Sequence, residues 1–353
     1  MTDYNRNLNG LRGLCAFLVF LRHIWAGPRL EGWWGDGLPD AALFDFLFDS
    51  LQCAVEIFFM ISGFLITQSL LRAPSIGHFL LHRVLRIYPV FLATHLMLFT
   101  LGPALHYKLL DGIDAPHWLW LFVTNGLLLP GMVDLPIVQS NAWSLSYEAA
   151  FYLFSVLAWR LGRLLPPAPR AVAIALAAAL ACFAAPRGIF FAAGALVFLL
   201  DDRARAIGRR PWLPATVLLP LLFVLLQASL QAPIDEMRLG YAIGCVLGIL
   251  LFARLVHGRM PLLRSRVMQY LGDISYSFYL WHPFAYFIGK RLVHGTTAGL
   301  PPALQVLLLF LVALPLALAL SHASHRLIER AATGALRRRL EPRAALPSTG
   351  LAG

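Results

Sequence analysis

Ionisable residues stand inside stretches otherwise too apolar to hold them. The first hydrophobic run, residues 8–25, contains Arg12 and, eleven residues later, His23. Later runs carry Glu56, the pair Arg83 and Arg86, then Glu148, then His282. A cation in a bilayer costs about 2.5–3.5 kcal/mol on insertion scales, so such residues face a protein interior or a watery cavity and mark a pathway or a site. Two kinds of chemistry suit them. Arginine offers a planar, permanently charged fork for phosphate, and Arg83 and Arg86, three apart, share a helix face. Imidazole is the usual general base, and a nearby carboxylate fixes its tautomer. On one helix Arg12 and His23 lie roughly 16 Å apart, about half the bilayer. A phosphate-bearing donor on one side and a hydroxyl acceptor on the other side use both groups.

The elements that must position these residues are membrane helices. Of the 353 residues, 59% are hydrophobic and 13% charged, and mean hydropathy is +0.70. A soluble globule has roughly 45–50% apolar and about 25% charged residues. Apolar length and polar breaks define ten runs: 8–25, 47–71, 79–101, 142–159, 171–185, 188–200, 212–230, 239–256, 267–288 and 302–320. The fifth and sixth are short and divided only by Pro186-Arg187-Gly188, a turn signal. The stretch 118–129, bracketed by Pro116 and Pro130, is too short to span and reads as interfacial or re-entrant.

Charge orients the chain. With the N-terminus inside, 22 of the 29 basic residues fall in inner segments; the outer ones are Arg22, Arg29, Lys108, Arg187, Arg238, Lys290 and Arg291. Five acids, Glu31, Asp36, Asp40, Asp45 and Asp49, gather in the first outer loop. The expectation is an all-α integral membrane protein of about ten transmembrane helices with both termini cytoplasmic. Residues 1–336 form a single transmembrane domain, and 337–353 a basic, disordered tail beside the anionic inner leaflet. The net charge of +11 follows from this asymmetry and, alternating between loops, argues against nucleic acid. The four cysteines fit neither a zinc spacing nor a disulfide framework, and no metal is expected.

Depth then sorts the polar residues into two clusters. Arg12, Arg83 and Arg86 fall near the cytoplasmic face. His23, Glu56, Glu148 and His282 fall in the outer half, with Trp143, Ser144 and Trp281 beside them. Plainer roles also fit: arginines snorkelling to headgroups, an aromatic belt, carboxylates holding helices together, and Ser62-Gly63 as a close helix contact.

Six motifs, in order, resemble the acyltransferase-3 family of integral membrane acyltransferases. They are Leu8-Asn9-Gly10-Leu11-Arg12-Gly13 followed by His23; the run from Glu56 through Ser62-Gly63; His82-Arg83-Val84-Leu85-Arg86-Ile87-Tyr88-Pro89; Trp143-Ser144-Leu145-Ser146-Tyr147-Glu148; the run from Leu271 to Trp281-His282-Pro283; and His325-Arg326-Leu327-Ile328-Glu329-Arg330. Asn9 and Glu56 stand where the family commonly has aspartate. The resemblance implies transfer of an acyl group, commonly acetyl from cytoplasmic acetyl-CoA, to a hydroxyl of an extracytoplasmic or lipid-linked carbohydrate, in the bacterial inner membrane. It implies that His23 is the catalytic histidine, that Arg12, Arg83 and Arg86 serve the CoA end, and that Glu148 supports the outer site. His23 then either deprotonates the acceptor hydroxyl or carries the acyl group itself. A small-molecule acceptor is compatible with the family. From another class, a transporter or flippase for an anionic or lipid-linked glycan would line a path with the same charges.

Overall fold

The computed structural model describes residues 3–33, 42–210, 214–297 and 299–340, and among these its regular elements are all helices, with no strand. The helices are α1 (Asp3–Leu30), α2 (Ala42–Ser50), α3 (Ala54–Arg72), α4 (Ile76–Leu101), α5 (Ala115–Gly126), α6 (Trp143–Leu164), α7 (Pro167–Ala184), α8 (Ile189–Leu199), α9 (Asp201–Gly208), α10 (Ala215–Leu230), α11 (Ile234–His257), α12 (Pro261–Arg264), α13 (Arg266–Thr297), α14 (Pro302–Ser324) and α15 (Thr333–Leu340). A short 3-10 turn joins α2 to α3, and a π-helical stretch, His325–Ala332, joins α14 to α15.

Four helical stretches are long and apolar enough to cross a membrane: Ala42–Arg72, Ile76–Leu101, Ile234–His257 and Pro302–Leu340. Val172–Ala184, Pro186–Leu199 and Ala215–Leu230 are apolar but shorter. α1, α6 and α13 are 28, 22 and 32 residues long and carry the charges singled out above. Each apolar run expected from sequence falls on a helix, although the start of the seventh, with Trp212, lies outside the described residues, as do Asp36 and Asp40. Pro186–Gly188 forms the expected turn, as a 3-10 turn between α7 and α8. α5, at 12 residues, is too short to cross. Helix continues to Leu340, and the remainder of the basic tail lies outside the described residues. The peripheral helices turn leucines outward: Leu176, Leu180, Leu307 and Leu311 are exposed. Lipid accommodates such a surface, which water does not.

Two close crossings hold the middle of the bundle. α1 lies against α13, and it also touches α3, α11 and α12. At that crossing a Cβ on Gly13 would run into the backbone of Met268, Leu271 and Gly272, and one on Gly272 into the backbone of Asn9. α3 meets α8 the same way, through Gly63 against Phe191 and Gly194 against Met60. Small residues at a crossing let backbones approach where lipid supplies no hydrophobic drive.

Polar side chains lock the register at the start of α1. Asn7, fully buried, donates to the carbonyls of Val256 (2.8 Å) and Gly258 (3.0 Å) and accepts from Arg264 Nε (2.8 Å). Asn9 Nδ2 donates to Asp273 Oδ1 (2.8 Å) and to the Gln269 carbonyl (3.1 Å). Asn9 therefore suits its partner: an ionised aspartate there has no hydrogen to give and would repel Asp273. Substitution of Gly272 by valine is expected to destabilise the protein by about 3 kcal/mol, the upper end of overpacking, because backbone rather than a flexible side chain must move. Thermal unfolding in detergent checks this, and an unchanged midpoint would contradict so close a crossing.

Candidate active site

Helices α1, α3, α4, α6 and α13 surround a cavity with about 800 Å³ of empty space, its open mouth included. Arg12, Arg83 and Arg86 all line it, as expected. α3 lines it from Val55 to Ile66, so it extends roughly 16 Å along that helix. Its wall is otherwise mostly apolar, which strengthens any charge interaction within it. Arg83 Nη2 donates to Ser69 Oγ (3.0 Å), and its guanidinium lies over the rings of Phe79 (5.7 Å) and Tyr152 (6.0 Å). Arg86 Nη1 donates to Glu329 Oε2 (2.9 Å) and lies over the Tyr276 ring (5.1 Å). Three guanidiniums thus face one space whose lining includes a single carboxylate, Glu148. Such a cavity suits a polyanion.

The two imidazoles meet one turn further along α13. His282 Nε2 lies 3.4 Å from His23 Nδ1, with ring centroids 5.0 Å apart. Each Nδ1 also faces a carbonyl of its own helix, Val19 O at 2.8 Å from His23 and Phe278 O at 3.0 Å from His282. A carbonyl accepts only from N–H, so both hydrogens sit on Nδ1. The lone pair of His282 Nε2 then faces the His23 Nδ1–H, which Val19 O shares, and His23 Nε2 is left as the unprotonated nitrogen of its ring. Fully buried His282 is held by the rings of Phe20, edge-on at 6.2 Å, and Phe278, stacked at 6.1 Å.

Between cavity and histidines stands Tyr279. Its ring is 6.0 Å from that of His282, and its hydroxyl meets Ser144 Oγ (2.8 Å) and donates to the Asn141 carbonyl (3.1 Å). Pro283 has no N–H for the carbonyl of Tyr279 four residues back. Asn141 Nδ2 donates to that carbonyl instead. Thus the Pro283 that follows His282 is used to fasten the start of α6 to the middle of α13.

The expected outer cluster divides. Only His23 and His282 of its four members pair. Glu148 faces the arginine cavity and accepts from the Tyr152 hydroxyl. It stands four residues after Ser144 and shares that residue's face, which points into the bundle. Glu56, completely buried, accepts from Arg187 Nε (2.5 Å) and from the Tyr241 hydroxyl (3.3 Å). Glu56, Met60 and Gly63 form the stripe of α3 that packs on α8 and the turn before it, whereas Val55, Phe58 and Ser62 line the cavity, and Phe59 borders both, stacked on Phe191. Ser62 and Gly63, adjacent in sequence, therefore serve different surfaces. Trp143 lies under the Arg187 guanidinium (4.2 Å), and Trp281 packs on Phe284 at a tilt, ring centroids 5.5 Å apart.

Tyr276, Tyr279, Arg187 and Glu329 join the site without having been given a role in it from sequence, although all but Arg187 lie within the motifs. Tyr279 precedes His282 by three residues, a spacing that could have found it. Arg187 reads as an outer-loop cation until α8 brings it to Glu56, and nothing local to either residue announces that pair.

The sequence pattern of an acyltransferase domain, that of the acyltransferase-3 family, matches residues 5–322. Nodulation protein 10 of Rhizobium leguminosarum bv. viciae is 28% identical over 320 residues, covering 80% of this chain and 83% of that protein. Acyltransferase MdmB of Streptomyces mycarofaciens is 30% identical over 165 residues, 45% of this chain and 40% of that protein. No solved structure matches. With five of the six motifs inside the matched residues and the sixth, residues 325–330, just beyond them, the chain belongs to the acyltransferase-3 family of membrane acyltransferases.

Proposed function

We propose that this protein moves an acyl group, acetyl in the first instance, from cytoplasmic acyl-CoA to a hydroxyl of a carbohydrate or lipid-linked glycan on the outer side of a bacterial inner membrane. The observation that carries this is the His23–His282 pair one turn of α13 beyond a cavity lined by three arginines. In this proposal the chain crosses the membrane ten times with both ends inside. The bias of basic residues toward alternate loops supports that topology.

The residues divide the work. Arg12, Arg83 and Arg86 hold the phosphates of the donor through charge-assisted bonds, with Arg12 deepest and nearest the reacting end. The thioester extends along the cavity toward Tyr279. His23 Nε2 accepts the hydroxyl proton as the acceptor oxygen bonds to the acyl carbon. The carbon–sulfur bond breaks, and His23 returns that proton to the departing thiolate. While His23 is cationic, its Nδ1–H bond to His282 becomes charge-assisted. Glu148 offsets the arginine charge within the cavity. Trp143 and Ser144 support the outer wall through Arg187 and Tyr279, and Glu56 anchors Arg187. Trp281, next in sequence to His282, packs on Phe284.

Substitution of His23 by alanine is expected to lower transfer of label from radiolabelled acetyl-CoA to envelope glycans and lipids by roughly 10²–10⁴-fold, as for loss of a general base. Equal transfer by wild type and variant would remove His23 from the mechanism. Absence of thioester turnover by folded wild type would favour a transport role for the same charges. His282→Phe keeps the ring packing but removes the side-chain acceptor for His23 Nδ1–H, leaving only the Val19 carbonyl. It is expected to lower kcat roughly 10²-fold, to leave acetyl-CoA affinity unchanged, and to cost nothing more in a His23→Ala background. An additive loss in that background would make His282 a packing residue only.

A further inference from the structure

Glu329 lies beyond residue 322, where the family pattern ends, yet it bonds to Arg86, a lining residue of the cavity. It belongs to the π-helical stretch His325–Ala332 after α14. Such stretches are uncommon and recur at functional sites. The Glu329 side chain is only 8% exposed. Its Oε1 accepts from Ser277 Oγ (2.6 Å) and from the Ser277 backbone N–H (3.2 Å), while Oε2 accepts from Arg86 Nη1 (2.9 Å). One carboxylate therefore ties α4 to α13 immediately behind Tyr276, a wall residue of the cavity.

Among the described residues, Arg86–Glu329 is the ion pair made by the three cavity arginines. Arg86 needs such a partner more than most. Its side chain is 38% exposed, and a long, half-exposed arginine samples many rotamers that binding must otherwise freeze. A guanidinium has five N–H groups in a fixed fork. With Nη1 held by Glu329, the Nε and Nη2 edge remains to grip a phosphate. The carboxylate thus orients Arg86 without consuming its binding edge.

We propose that Glu329 is a positioning residue that holds Arg86 in the geometry that receives a phosphate group of the acyl-CoA donor. This rests on the donor role proposed for the arginine cavity. Two other roles make different demands. A purely structural Glu329 would only fasten the end of α14 to α13 through Ser277. A competing Glu329 would occupy Arg86 and hinder the donor, since a carboxylate beside an anion site repels the anion.

Four variants of the full chain separate these roles, with radiolabelled acetyl-CoA as the probe in equilibrium dialysis and thermal unfolding as the fold control. Glu329→Gln keeps an oxygen for Ser277 but turns an amide toward Arg86 that cannot anchor it. Positioning predicts about tenfold weaker acetyl-CoA binding, the effect of one charge-assisted hydrogen bond. Ser277→Ala should lower the unfolding midpoint and weaken binding by less than Glu329→Gln, because the backbone N–H still holds Oε1 and the charge stays on Arg86. Arg86→Ala should weaken binding by at least as much as Glu329→Gln, and Arg86→Ala with Glu329→Gln should be no weaker than Arg86→Ala alone. Should Glu329→Gln fail to fold, Glu329→Asp keeps the charge but withdraws it by one methylene, and weaker binding is again expected. Unchanged or tighter binding by the Glu329 variants, with Arg86→Ala weakened, overturns the proposal and leaves the donor role of the cavity intact. Unchanged binding by Arg86→Ala overturns that donor role itself.

Discussion

Where α1 crosses α13, Gly13 and Gly272 leave no side chain between the two backbones. That approach governs the rest of the molecule. α1 carries Arg12 and His23, and α13 carries Tyr276, Tyr279 and His282. Separation of the helices by one methyl group would move the imidazoles out of the 3.4 Å contact. It would also withdraw Arg12 from the cavity wall formed with Tyr276. Asn7 and Asn9 add register to proximity, since their amides bond to fixed carbonyls and to Asp273. Sliding α1 by one turn would break all of these bonds together.

A second constraint is electrostatic. Charges inside an apolar bundle are tolerated when they find a partner or face a cavity. Glu56 has Arg187 and Tyr241, and Arg187 also has the Trp143 face. Arg86 has Glu329, and Glu148 has Tyr152. The cavity nevertheless keeps an excess of positive charge, which packing leaves unneutralised. Such an excess is costly in an empty fold and useful to one that receives an anion. The histidines, in contrast, stand in a ring-lined, neutral setting, where a base must be uncharged to act. The two environments lie one helical turn apart, with Tyr279 and its bonds to Ser144 and Asn141 between them.

Much of this was legible in the residues. Apolar run length placed the helices, because a bilayer imposes a minimum span on any backbone that must satisfy its own hydrogen bonds. The Arg83–Arg86 spacing predicted a shared face, and both line the cavity with Arg12. Of the Ser62-Gly63 contact expected from sequence, Gly63 does pack on Phe191, whereas Ser62 lines the cavity. The failures share one cause. Glu148 and Glu56 were grouped with the histidines by depth alone, and depth does not say which way a side chain turns around its helix.

The sequence by itself determined the helical membrane class, the family, and the separation of arginines from imidazoles along α1, because these depend on composition, motif order and rise per residue. Tertiary structure alone decided that His282 faces His23, that Glu148 joins the arginines, that Glu56 meets Arg187, and that Glu329 returns from the end of the last helices to hold Arg86. The physical reason is that helical periodicity relates residues three or four apart, whereas these pairs join residues separated by 131 to 259 positions or depend on which neighbour a helix face meets. Only the packing of the helices fixes that choice.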